Sequence, residues 1–458
     1  MRALELNDLA LAIAADGVVE SSTDSVVRTE SGAAAMAYWR RSPESVSSHH
    51  WQGIESQGAS SRSDAEIVRR ELARRVGELG GAEFLIAAPA RFSTAGLGRA
   101  LGVLRSLSMN VRGFADSAVL TAAGLASRAD PEATVLVIDI GLHHIGVARV
   151  ERRGGEFVRG RALTRTRSGW LELLEGWLAL VGEVMVRRTR FDPLQDAAME
   201  QILVDALPEW LQAAATTGST KVRVVRGEAS HEIELSRDQF AARVEPIYRA
   251  LVDLLHELRP AGAQVLITVP EAAQQCPGLI ELLGNFSGCE LAITPAGFAA
   301  SAASFLPDPQ HDAGEVPLLR RLSGVQSAPI MAGLRDVAAK LPYLMLGAGA
   351  QAAAAPSHLL FSGQAVALNG RNLVIGRDRD TAITLPEGLA GVSRQHCSLH
   401  HEMGQIVLVD HSRYGTFVNG ERVAGRVRLR AGDQVRIGDP GVQLSLIAVG
   451  GIDGAPSH

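Results

Sequence analysis

Alternation of apolar and polar positions opens the chain: Leu4 to Ala15 reads as a strand, with Asp16-Gly17 as the turn into Val18-Val19. Ser63 to Leu79 places Ile67, Val68, Leu72, Val76 and Leu79 at helical spacing, which predicts an amphipathic helix. Phe84 to Ala88 is a short buried strand ending at Pro89, and Thr94–Ser108 and Ala118–Ala126 read as helices. Val135 to Ile140 is an apolar strand, and a second strand, Ile145 to Val150, follows the turn at 141–144. Two long helices are expected over Trp170–Val186 and Pro193–Ala215, then a hairpin from Val222–Val225 to Glu232–Leu235. Ser236-Arg237-Asp238 caps a helix running to Leu258, which leads into the strand Gln264–Val269. Further helices are expected over Gly278–Leu283 and Ala296–Phe305. Strand pairs punctuated by helices imply an α/β body over residues 1–306. Past residue 358 the pattern becomes all strand: Ile383–Leu385, Cys397–Leu399 and Ile406–Val409 alternate, and Asn419-Gly420 signals a tight hairpin. Between the two regions, residues 307–357 read as a helical or flexible tether, and 451–458 as a disordered tail.

A chain of 458 residues has room for two to four cores. The formal charge of −5 gives no basic character that would point to nucleic acid. Lys221 and Lys340 are the only lysines, an arginine bias with abundant Ala and Gly that suggests a GC-rich bacterial genome. Cys276, Cys289 and Cys397 form no CxxC pair, which fits a reducing cytoplasm. The N-terminus carries Glu5, Asn7 and Asp8 within its apolar run and makes a poor signal peptide. No apolar run is long enough to suggest membrane insertion. His49-His50-Trp51 is read as a solvated loop with one buried Trp.

The most specific stretch lies between 372 and 420: Ile375-Gly376-Arg377, Ser393-Arg394-Gln395-His396, then Gly415-Thr416-Phe417-Val418-Asn419-Gly420. Arg377 ends a strand and can offer a planar fork to a doubly charged phosphate, while Ser393 and Arg394 add a hydroxyl and a second guanidinium. His396 lies in the strand proper, where a neutral imidazole ties loops together. These fragments in this order resemble the forkhead-associated (FHA) domain, over residues 358–450. That resemblance implies a β-sandwich binding phosphothreonine peptides through loops at one end. Arg377, Ser393 and Arg394 would hold the phosphate, Arg413 would sit beside it, and His396 would brace the loops. Gly376, Gly415, Thr416, Asn419 and Gly420 would be structural. The family often has Asn, which holds the peptide backbone, where this chain has Tyr414.

Residues 1–306 resemble, in sequential order, the heat-shock-chaperone branch of the two-lobed, ribonuclease-H-like actin-like ATPases. ELNDLALAIA and VLVIDIGLHHIGVARV look like the two phosphate hairpins. Phe84 to Ala90 looks like the strand ending in Pro-Ala, and Leu235 to Phe240 like the start of the upper second lobe. VLITVP and PAGFAASAA look like the adenosine strand and its helix. The chain departs from that family at its chemistry. Glu5 replaces the strand Asp, and Asn7, Asp8 and Leu9 replace Gly and hydroxyl residues. Asp139 and Gly141 persist, but Leu142, His143 and His144 follow in place of Gly-Gly-Thr. Val269-Pro270 stand at the adenosine Gly pair, and no lysine precedes residue 221.

The expectation is therefore a pseudo-ATPase body with a degenerate site at Glu5, Asp8, Asp139 and Gly141, no catalytic residue, no metal and no ATP or Mg cofactor. Joined to an FHA module, it would be a cytoplasmic phosphothreonine-dependent adaptor in bacterial Ser/Thr kinase signalling. Its partner would be a phosphothreonine protein, the kinase or its substrate, with a homo-oligomer left open. The alternative is an ATP-binding chaperone-like switch gated by phosphoprotein docking. A third reading has the module clamp a phosphorylated threonine of its own chain, with Thr216 and Thr217 in a loop-like stretch as first candidates.

Overall fold

A computed structural model describes residues 1–55, 61–76, 82–126, 133–286, 288–309, 316–324, 356–361, 364–368, 372–378, 380–386, 391–402, 405–429, 433–438 and 441–447. The N-terminal region is mixed α/β and holds two six-stranded sheets. In the first, Arg2–Glu5, Leu11–Ala15 and Val18–Thr23 form an antiparallel meander, and Glu83–Ala88 then Asn110–Asp116 add in parallel beside the first strand. The second repeats that plan. Thr134–Ile140, His144–Arg153 and Glu156–Thr166 form the meander, and Val265–Pro270 then Cys289–Thr294 add in parallel.

Alternation fixes which side of a strand is buried where. Phe84, Ile86 and Ala88 pack with Leu4, Leu72 and Trp51, whereas Leu85 and Ala87 pack with Ala118, Leu120 and Ala300. The second sheet's outer core gathers around the fully buried Trp177 of helix Trp170–Thr189.

Several elements differ from the sequence expectations. The strand expected over Leu4–Ala15 is two strands, because Asn7 and Asp8 turn the chain between them. The helix expected up to Leu258 is two, Arg237–Arg243 and Glu245–Leu258, broken at Val244. Pro246 lacks an amide donor, so it cannot continue the hydrogen-bond ladder of the first helix and sits in the first turn of the second. Thr216 and Thr217 are the last turn of helix Ala197–Thr217, and their hydroxyls donate back to the carbonyls of Gln212 and Ala213. His50 and Trp51 lie in a short helix, fully buried, where both meet the Glu71 carboxylate at 3.0 Å.

Within 307–357, where a helical or flexible tether was expected, Leu318–Leu319 pairs with Asn110–Asp116 and Arg321–Ser323 pairs with Glu156–Thr166. This stretch therefore adds one edge strand to each sheet. Residues 325–355 and the expected tail at 451–458 lie outside the described residues.

The C-terminal region is a β-sandwich. One sheet runs, in order, through strands 364–367, His358–Phe361, Val442–Ile447, Gln434–Ile437, Thr416–Val418 and Glu421–Arg422. The other runs Ile383–Thr384, Leu373–Gly376, Cys397–Glu402, Gln405–Asp410 and Arg426–Leu429. Ile375, Leu399, Leu408, Val418, Ile437 and Leu444 close the space between them. No described helix is long and apolar enough to cross a membrane.

Candidate functional site

Three loops meet at one end of the sandwich. Strand Leu373–Gly376 delivers Arg377, whose amide donates to the Ser393 carbonyl at 3.2 Å. The Asp378 amide donates to the Arg394 carbonyl at 3.1 Å, so the first two loops run side by side. Any Cβ at Gly376 would run into the Arg394 carbonyl, which is why only glycine suits the position. The third loop joins through the Arg413 amide, 3.3 Å from the Ser393 hydroxyl. Arg377, Arg394 and Arg413 are all exposed, as is Tyr414 at 59%. Arg413 leans over the Tyr414 ring, 5.9 Å from its centre.

His396 is fully buried beneath the three loops. Its Nδ1 accepts the Ser393 amide proton at 3.0 Å, so the neutral ring carries its proton on Nε2. From there it donates to the Gly415 carbonyl at 3.2 Å. Burial holds the imidazole below its ordinary pKa despite that carbonyl and the carboxylate of Asp410.

Asp410 is a residue the sequence reading missed. It accepts the Thr416 hydroxyl at 2.7 Å and the Ser412 amide at 3.0 Å, which folds the third loop back over the strand end. Burial pushes its carboxyl up, but these bonds outweigh it and leave the pKa below the ordinary value. The signal was local: Asp410-His411-Ser412 permits a side-chain-to-backbone turn. At the far end, Asn419 and Gly420 both take positive φ, 51° and 83°, as the hairpin expectation required.

This geometry defines a class: a β-sandwich that displays guanidinium and hydroxyl groups on loops locked from below. The module is an FHA domain, whose family model matches residues 373–438. The match supports phosphothreonine-dependent protein binding. No curated protein matches the chain.

A second cluster forms where the first strands of the two N-terminal sheets end. Asn7 donates to Asp139 Oδ1 at 2.8 Å, and Asp8, fully buried, takes the Leu142 amide on Oδ1 at 3.0 Å. Arg91 lies 3.8 Å from Asp8 Oδ2. Burial pushes the Asp139 carboxyl up, but the His144 ring 3.2 Å away holds it below its ordinary value. Glu5 takes the Ala300 amide at 3.1 Å, yet burial raises its pKa to about 7. Gly141 closes the adjoining turn by donating to the His144 carbonyl at 2.9 Å. Beside the cluster is a cavity of about 90 Å³, lined by Glu5, Asn7, Arg91, Ser117 and Asp139.

His143 turns the other way, as expected for neighbours on a hairpin. Its Nε2 meets the Ser48 hydroxyl at 2.9 Å and its Nδ1 meets Glu172 at 2.9 Å. Ser48 is only 8% exposed and the ring of its neighbour His49 stacks on His143, so these contacts tie the end of strand Val46–Ser47 to helix Trp170–Thr189.

Proposed function

We propose that the protein is a phosphothreonine-dependent adaptor in bacterial Ser/Thr kinase signalling. The carrying observation is the convergence of Arg377, Ser393-Arg394 and Arg413 on loops pinned together by His396. Two or three guanidinium forks and a hydroxyl on a preorganised frame suit a dianionic phosphate, with charge-assisted bonds to its oxygens. Arg377, Ser393 and Arg394 hold the phosphate, Arg413 flanks it, and Tyr414 meets the peptide by its hydroxyl or its face. The partner is a threonine-phosphorylated protein, either a Ser/Thr kinase or its substrate, in the cytoplasm.

The N-terminal body is an actin-like fold that binds partners rather than turning over ATP. Support for the fold comes from its two sheets sharing one strand plan. Support for lost chemistry comes from the two carboxylates that already hold backbone amides in the cleft. The Asp8 carboxylate occupies the loop amide of Leu142, and a second carboxylate, Glu5, occupies that of Ala300.

The test is a fluorescence-anisotropy titration of the full chain against phosphothreonine, phosphoserine and unmodified peptide pools, with Arg377→Ala as control. Micromolar binding selective for phosphothreonine and lost in the variant is expected. Binding indifferent to Arg377, or none, overturns the reading.

A further inference from the structure

The FHA module has a second contact face, at the end opposite its phosphate loops. Strand Thr416–Val418 runs from Gly415, under those loops, to the Asn419-Gly420 turn at the other end. In the facing sheet, strand Cys397–Glu402 is about 20 Å long at roughly 3.3 Å per residue. At the far end the Asn419 amide group donates to Asp433 Oδ1 at 2.9 Å, and Asp433 is fully buried.

Against this end lies the segment that follows helix Glu245–Leu258 of the body. Arg259, only 1% exposed, places Nε 3.8 Å from Asp433 Oδ1. Ala261 packs on the sandwich core, and Glu257 underlies Gly420. Nearby, Arg149 of strand His144–Arg153 bridges to Glu421 at the start of the strand after the turn. A guanidinium and a carboxylate buried side by side hold the two surfaces together, since truncating either side chain leaves the other's charge uncompensated in the contact.

We propose that the FHA module is clamped to the α/β body through this acidic end, Asp433 and Glu421 receiving Arg259 and Arg149. The module is then held at one place on the body, and its phosphate loops face outward to a separate protein. The clamp itself rests on the contacts above; only the outward presentation rests on the phosphothreonine reading. A clamped module has no swing with which to gather a threonine from elsewhere on its own chain. The hydroxyls of Thr216 and Thr217, already bonded back into their helix, fit that consequence.

The experiment is small-angle scattering and calorimetry on the full chain: wild type, Arg259→Ala, Arg149→Glu, and Arg149→Glu with Glu421→Arg. A compact chain of this length has a radius of gyration of roughly 23 Å. Wild type is expected near that value with a shared unfolding transition. Arg259→Ala and Arg149→Glu should expand the particle and split off the FHA transition, and the double charge reversal should recover the wild-type profile. An extended wild type with two independent transitions, or charge reversals that do not compensate each other, overturns the clamp. Should Arg259→Ala fail to fold, the Arg149–Glu421 pair, whose glutamate side chain is 41% exposed, decides. Loss of phosphopeptide binding with an intact clamp would strike only the phosphothreonine reading.

Discussion

The imidazole of His396 and the carbonyl of Gly415 meet at 3.2 Å across 19 residues of sequence. This contact closes the loop end of the FHA module. The same ring holds the Ser393 amide, so one buried side chain sets the spacing between the phosphate loop and the peptide loop.

Truncating that ring leaves an amide and a carbonyl without partners. His396→Ala is expected to destabilise the FHA module by about 1–3 kcal/mol, the cost of buried unsatisfied groups. Thermal unfolding should show it. The ring also predicts a pH dependence. Its folded pKa lies below the unfolded value, so below the ordinary histidine range of 6.5 the unfolded chain binds more protons. Stability of the module should be fully present above that pH and fall as pH drops through the window beneath it. The slope should shrink in His396→Gln, and an unchanged slope would remove His396 as the cause.

Arg377→Ala and Arg394→Ala should each weaken phosphothreonine peptide binding about 10- to 100-fold, since a hydrogen bond to a charged group is worth roughly 1.5–3 kcal/mol. Both residues are exposed, so the unfolding midpoint should hold. Anisotropy and thermal unfolding on the same preparations separate the two effects.

Tyr414 stands 59% exposed where the FHA resemblance points to an asparagine that grips the peptide backbone. Tyr414→Asn is expected to tighten phosphopeptide binding about 2- to 10-fold, the worth of one added hydrogen bond. The change in sequence preference, read on a peptide array, should exceed any change in phosphate dependence.

In the body, Mg-ATP at millimolar concentration should leave the unfolding temperature unmoved, because a ligand that binds the folded state must raise it. Glu5 offers an independent check on the same cleft. Its folded pKa, near 7, lies above its ordinary value of 4.5, so the folded state holds the extra proton and loses stability as pH rises through that interval. Glu5→Gln keeps an acceptor for Ala300 and should raise the unfolding temperature at pH 8 but not at pH 4.5. Equal effects at both pH values would show that Glu5 does not titrate in this way.

The sequence by itself determined the elements whose causes are local. Asn419-Gly420 forces a hairpin because few other residues accept positive φ twice, and period-two alternation specified the FHA strands. Gly376-Arg377 and Ser393-Arg394 with His396 were legible for the same reason: each function needs a particular residue at a fixed offset from a strand end. The tertiary structure decided everything that depends on contacts distant in sequence. Asp8 reads as a poor phosphate-loop residue, and only folding shows its carboxylate on the Leu142 amide. Leu318–Leu319 and Arg321–Ser323 look like linker, since an edge strand this short has no periodicity to read; it is defined by the sheet it joins. His50 and Glu71 are 21 residues apart, and His50 reads as part of a solvated loop, yet they share one buried network with Ser25 and Trp51. Arg259 is one arginine among many until Asp433 is brought to it. Hydrogen bonds and ion pairs of this kind leave no periodic trace, because they require a geometry that exists only after the sheets have packed.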